Sequence, residues 1–72
     1  MADKNKQTQS AKNAVANKIK QARLSRGWSQ IETALLLGVH LTTYQLWERG
    51  AGKPSRKNRM KLEKILGIKL DE

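Results

Sequence analysis

The sequence predicts an all-α fold, a compact bundle of four or five short helices, and three observations predict it. Apolar residues recur at helical spacing, as Val15, Ile19 and Ala22 do at i, i+4 and i+7. Capping residues and glycines punctuate the chain at short intervals, which keeps each helix short. No segment reads as a credible strand.

Residues 1–12 are polar and aperiodic, with too little apolar surface to offset ordering, and read as a flexible basic N-terminal tail. Its Lys4, Lys6 and Lys12 suit a solvated terminus or a glancing contact with nucleic acid. Residues 13–70 form the one domain. Its first helix is expected from about Asn13 to Ser25, where Gly27 stops it. The stretch "SQIE" then has the capping-box pattern, Ser29 accepting from the backbone three residues on while Glu32 reaches back, so a second helix should run from about Gln30 to Leu37. Gly38 breaks it, and "GVH" is a short turn into a third helix. Within that helix His40, Tyr44 and Trp47 share a face expected to be buried, and Thr42, Gln45, Leu46 and Arg49 share an outward one. "RGAGKPS", with two glycines and the single proline, turns the chain again. Ser55 is a plausible cap for a last helix whose apolar side is Leu62, Ile65 and Leu66, and Gly67 ends it. "IKLDE" is too short for another element of any length, and its Ile68 and Leu70 are the exposed apolar candidates for a dimer contact.

Composition narrows the function. A chain of 72 residues buries only roughly 60% of its unfolded surface, so the core is modest. Cysteine is absent, which excludes a disulfide framework, Cys-ligated zinc and a thiol nucleophile. No apolar run approaches the ~20 residues that span a bilayer, and "MADKNKQTQS" lacks a secretory apolar stretch, so a cytoplasmic protein with no membrane association is expected. Fifteen Lys and Arg against six Asp and Glu, a formal charge of +9, favour a polyanion, with nucleic acid ahead of an anionic membrane surface.

Two short helices joined by a tight glycine turn make the helix-turn-helix unit. The residues themselves resemble the phage-repressor and Cro-like helix-turn-helix family, also called XRE-like, through "IKQAR", "GWSQ", Ala34, "LGV" at 37–39, "WERG", "KPS" and "LGI" at 66–68. The likeness covers roughly residues 15–68 and implies a lambda-repressor-like bundle. It implies that Gln30 lies by the DNA backbone, that residues 40–43 and Leu46 face the groove, and that Arg23 and Glu48 form an internal ion pair. Alternatively, Glu48 is a solvated surface acid and Arg23 a phosphate ligand. Thr33 stands where the family usually has a core Leu, Arg59 where an apolar residue is frequent, and Ile31, Leu35 and Leu36 where polar residues are common.

From Gly27 to Glu48 there is no Lys or Arg. Lys18, Lys20, Arg23 and Arg26 precede this stretch, and Arg49, Lys53, Arg56, Lys57, Arg59, Lys61 and Lys64 follow it. Contacts that hold phosphates differ from those that read base edges. On that division Leu41, Thr42, Thr43, Gln45 and Leu46 are the expected base readers, and Gln30, His40, Arg49, Lys53, Arg56 and Lys57 the expected backbone contacts. With no Arg for guanine, readout should be weighted to A·T: Gln pairs with adenine, and Leu or the Thr methyl packs on the thymine methyl. Tyr44 and Trp47 fit the core better than base stacking because they fall on the inward face, and Trp28 reads as a core plug.

The single histidine lacks partners for a metal site, so His40 suits a cap or a phosphate contact, and no metal or cofactor is expected. No nucleophile has an evident base, which points to a binding protein and not an enzyme. The expected function is a sequence-specific DNA-binding transcriptional regulator, a Cro-like repressor of a phage, plasmid or mobile element, binding double-stranded DNA through the major groove as a homodimer at least on DNA. Two other classes stand beside it. A helix-turn-helix protein-interaction module would use Ile31, Leu35, Leu41 and Leu46, apolar where exposure is expected. A basic RNA-binding protein would need aromatics on an exposed face.

Overall fold

A computed structural model describes the backbone of residues 2–70 and the side chains of residues 14–70. Four helices follow one another: α1 Ala2–Ser25, α2 Gln30–Leu37, α3 Leu41–Glu48 and α4 Arg56–Leu66, with no strand among the described residues. The helical backbone of α1 begins well ahead of Asn13, since residues 2–12 hold no Gly or Pro to interrupt it. The side chains of residues 1–13 lie outside the described residues, and with them the expected mobility of residues 1–12.

Capping chemistry sets the boundaries of α2. Ser29 accepts from the Glu32 N–H at 3.0 Å, and the Glu32 carboxylate accepts from the Ser29 N–H at 2.8 Å, so the capping box closes in both directions. At the other end Gly38 takes φ 73°, the left-handed region that side chains disfavour. Its N–H donates to Leu35 and that of Val39 to Ala34, the Schellman arrangement. The turn into α3 is therefore encoded locally.

The core is shared by all four helices: Ile19 of α1, Ala34 and Leu37 of α2, Tyr44 and Trp47 of α3, Leu62 and Leu66 of α4, and Leu70 beyond them. Tyr44 and Trp47 meet edge to face at 6.2 Å, as the inward-face expectation requires. Trp28 packs against this cluster with the Arg26 guanidinium 5.4 Å over its ring.

Two expectations need correction. His40 does not share the buried face of Tyr44 and Trp47. It is exposed at the N-cap of α3 with an extended backbone, φ −69° and ψ 147°, and its side chain makes no capping bond. Helical periodicity counted back from Tyr44 fails because His40 stands outside the helix. Leu70 is likewise not exposed: it is 2% accessible. Past Gly67 the chain folds back, the Leu70 N–H donates to Glu63 at 2.8 Å, and Lys18 Nζ donates to the Lys69 carbonyl at 2.9 Å. Those two bonds seat Leu70 in the core, while Ile68 is half-buried against it.

Leu70→Ala should therefore lower the unfolding free energy by ~2–5 kcal/mol, the cost of a core cavity. Urea denaturation at two protein concentrations checks it. A loss that vanished on dilution would mark Leu70 as a contact between copies instead.

Candidate nucleic-acid interface

A buried carboxylate holds α3 in place. Glu48, at the last turn of α3, accepts from Arg23 Nε at 2.5 Å and Nη2 at 3.1 Å, from Gln30 Nε2 at 3.0 Å, and from the Tyr44 hydroxyl. Arg23 also donates through Nη1 to the Trp28 carbonyl at 2.9 Å. The Arg23 and Glu48 side chains are 10% and 3% exposed, so this is an interior pair and not a surface one. The implied ion pair is present, and the alternatives of a solvated Glu48 and a phosphate-binding Arg23 are excluded by burial. Burial pushes the Glu48 carboxyl up, yet the bonds from Arg23, Tyr44 and Gln30 together outweigh it and hold the group below the usual carboxylate range. Arg23 is raised, chiefly by its bond to Glu48, and Tyr44 is raised by burial and by its own bond to Glu48.

Around that anchor the expected base readers are presented unequally. Thr42 is exposed, and Leu41, Thr43, Gln45 and Leu46 are half-buried. Gln45 donates through Nε2 to Gln30 Oε1 at 3.0 Å, which brings the first residue of α2 onto the middle of α3. The loop after α3 folds under Leu46: the Ala51 N–H donates to the Leu46 carbonyl at 2.9 Å, and a Cβ placed on Gly52 would stand 3.8 Å from Leu46 Cβ. Leu46 is therefore less exposed than an outward apolar face would make it, and Leu41 is half-buried as well. Ile31, Leu35 and Leu36 are exposed, Leu35 by 74%.

The expected backbone contacts divide by element. Arg49 caps the end of α3, Lys53 lies in the loop, and Arg56 and Lys57 open α4; all four are exposed. His40 is exposed at the opposite end of α3, and Gln30 is half-buried beside Glu48. Several other cations of the flanking segments serve the fold. Arg23 pairs with Glu48, Arg26 donates to the Leu66 carbonyl at 2.9 Å, Lys61 to the Leu37 carbonyl at 3.2 Å, and Lys18 to that of Lys69. Arg26 and Lys61 thus satisfy carbonyls at the C-terminal ends of α4 and α2, where positive charge is favoured. The Gln30 bonds to Glu48 and Gln45 are not legible in the sequence, because separations of 18 and 15 residues carry no local signal.

Among the described residues no three His, Cys, Asp or Glu side chains gather as a metal site would need, and no helix is long and apolar enough to cross a membrane.

Two measurements follow from Glu48. Arg23→Ala and Glu48→Ala should each cost ~3–5 kcal/mol, because either leaves a buried charge unpaired, and a double-mutant cycle should show the losses to be far from additive. Because the folded carboxyl titrates below its unfolded value of ~4.3, its stabilisation is complete above that value and is lost as pH falls through the folded one. The urea midpoint should accordingly hold level above about pH 5 and fall in acid. Glu48→Gln should start lower and fall less. An acid limb as steep in Glu48→Gln as in the parent would assign the loss to other carboxylates.

Comparison with known proteins agrees with this geometry. A family model described as helix-turn-helix matches residues 19–72. An SPbeta prophage-derived HTH-type transcriptional regulator of Bacillus subtilis (strain 168), YonR, is 37% identical over 54 residues, which make up 75% of this chain and 50% of that protein. The chain thus spans about half the length of the curated relative it matches. No solved structure matches it. The matched region takes in the later part of α1 and the whole of α2, α3 and α4, including both ends of the Arg23–Glu48 pair, and the chain belongs to the helix-turn-helix family, of the phage-repressor and Cro-like kind.

Proposed function

We propose that this chain is a sequence-specific DNA-binding transcriptional regulator of a phage, plasmid or other mobile element, acting as a Cro-like repressor. The observation that carries the reading is the contrast along the surface. The helix α3 offers Thr42 with parts of Leu41, Thr43, Gln45 and Leu46, none of them charged, while Arg49, Lys53, Arg56 and Lys57 stand exposed directly after it. An uncharged helix face can approach base edges in the major groove while the cations beside it neutralise phosphates. In this reading His40, at the opposite end of α3 from Arg49, and Gln30, beside Gln45 and Glu48, also meet the DNA backbone. Threonine, leucine and glutamine weight the readout to A·T. Binding as a homodimer to a palindromic operator, with half-sites about one helical turn apart, suits a single motif of this kind. The relative's description as a prophage transcriptional regulator supports the reading, as does the charge of +9. The site is one for binding and not for catalysis, and works in the cytoplasm, where the DNA is.

A protein-interaction module is the second reading, and the exposed Ile31, Leu35 and Leu36 favour it. The RNA-binding reading has less support, because Tyr44 and Trp47 are buried and Trp28 is half-buried beneath the Arg26 guanidinium, which leaves no aromatic fully exposed among the described residues.

The two halves of the surface should fail differently. Replacing Lys53, Arg56 or Lys57 by Ala should weaken binding to all duplexes alike and flatten the slope of log K against log salt by about 0.9 for each phosphate no longer neutralised. Replacing Thr42 or Leu46 by Ala should leave that slope nearly unchanged and alter base preference at one or two positions per half-site, at about 1–3 kcal/mol each. Selection from a random DNA pool supplies the cognate duplex, and titrations over several salt concentrations measure both quantities. Should Leu46→Ala and Thr42→Ala bind every duplex as the parent does, α3 is not the reader and the protein-interaction reading moves ahead.

A further inference from the structure

The carboxylate of Glu48 and the amides of Gln30 and Gln45 form a row of hydrogen bonds that runs from the interior to the outer side of α3. The two ends of a glutamine amide have nearly the same shape, so its orientation is set by what its neighbours can donate or accept. Here the chemistry leaves one solution. An ionised carboxylate only accepts, so Gln30 must turn Nε2 towards Glu48. Its Oε1 then faces Gln45, and an oxygen only accepts, so Gln45 must turn its own Nε2 inward. Glu48 cannot reverse this, because both its oxygens are already filled by Arg23, Tyr44 and Gln30, and Arg23 holds it ionised. Gln45 is left with Oε1 and its second N–H, which bond no other group among the described residues, and it is half-exposed.

We infer that Glu48, acting through Gln30, sets which end of the Gln45 amide faces the DNA, so that Gln30 and Glu48 are positioning residues for base specificity and Gln45 selects adenine. This deepens the proposed DNA-reading function and rests on it. An outward acceptor beside an outward N–H matches adenine, whose N6–H donates and whose N7 accepts. Guanine presents acceptors at both O6 and N7, so the Gln45 oxygen would meet an oxygen there. A free glutamine side chain could reverse its amide to suit guanine. A relayed one cannot without breaking its bond to Gln30.

The relay can be reversed by substitution. Lysine at position 30 has donors only. Gln30→Lys can still donate to Glu48, but it forces Gln45 to turn Oε1 inward and both N–H groups outward, the complement of guanine. Gln30→Met has the same length and no polarity, so it frees the Gln45 amide to turn either way. Gln45→Ala first identifies the base pair that Gln45 reads, as the position whose preference it abolishes. The affinities of parent, Gln30→Met and Gln30→Lys are then measured on four duplexes that differ only there. Comparing bases within one protein removes any general effect of the added charge.

The parent should favour adenine by roughly 5- to 100-fold. Gln30→Met should bring adenine and guanine close to parity, and Gln30→Lys should favour guanine. A second readout needs no DNA: the side-chain amide resonances of Gln45 in the free protein should move on Gln30→Met towards those of a solvent-exposed glutamine. The same adenine preference in all three proteins, or an unmoved Gln45 amide, would overturn the relay while leaving DNA reading intact. A parent that shows no base preference at any position would overturn the DNA-reading function and the relay with it. A loss of stability alone would move neither the ranking of bases nor the sign of the change between Gln30→Met and Gln30→Lys.

Discussion

Glu48 is the constraint on which the arrangement of this protein depends. Its two oxygens take donors from three helices, Arg23 of α1, Gln30 of α2 and Tyr44 of its own α3. A buried ion pair contributes little net stability when weighed against an apolar replacement, because desolvation offsets most of the attraction. What it imposes is geometry. Four hydrogen bonds of fixed direction converge on one carboxylate, and the helices that carry the donors have one relative setting that satisfies all of them. Apolar packing alone would tolerate small rotations of α3, whereas the bonded carboxylate does not. Under the proposed function, in which the outer face of α3 meets base edges within hydrogen-bond distance, that placement is what base reading requires.

The cations of the flanking segments take on two duties. Arg23, Arg26, Lys18 and Lys61 reach inward to a carboxylate or to backbone carbonyls, so four positive charges on the sequence map act as struts between elements. Arg49, Lys53, Arg56 and Lys57 remain exposed, gathered from the end of α3 to the first turn of α4. The charge excess of the chain therefore overstates the charge free to meet a polyanion, and under the proposed function the salt dependence of DNA binding should report the exposed cations more than these four.

Local chemistry is legible in the sequence, and long-range chemistry is not. The capping box at Ser29, the cap at Ser55 and the left-handed glycines at 38 and 67 place the ends of α2 and α4, since each depends on residues within a turn of one another. Thr33 also stands out as a polar residue at a core position. It is fully buried, and its hydroxyl donates to the Ser29 carbonyl at 2.9 Å, within one turn. The fold-back of residues 67–70 is invisible, because its fastening depends on Lys18, far away in sequence, and on Glu63, whose side chain gives no hint of a backbone partner. His40 misleads for the opposite reason: the periodic pattern continues one residue past the start of the helix. The Arg23–Glu48 pair is legible only by resemblance. The Gln30 bonds are not legible at all.

The setting of α2 shows why the polar bonds matter more than their share of the stability. Three of its four bulky apolar residues, Ile31, Leu35 and Leu36, face out, while Leu37 faces in with Thr33 and Ala34. Burial of apolar area would by itself favour turning the helix the other way, since each leucine or isoleucine buried is worth about 1.5–3 kcal/mol. Polar contacts oppose that rotation at both ends of the helix. Gln30 is tied to Glu48 and Gln45 at the N-terminus, and Lys61 holds the Leu37 carbonyl at the C-terminus. Turning α2 to bury Ile31 and Leu35 would withdraw Gln30 from the carboxylate and expose Thr33 and Leu37 in exchange. Glu48 would lose one of its donors inside the protein, a cost that the gain in apolar burial must exceed. The outward apolar face of α2 is thus a consequence of how α3 is held, and the same bonds that aim α3 leave that face open to water.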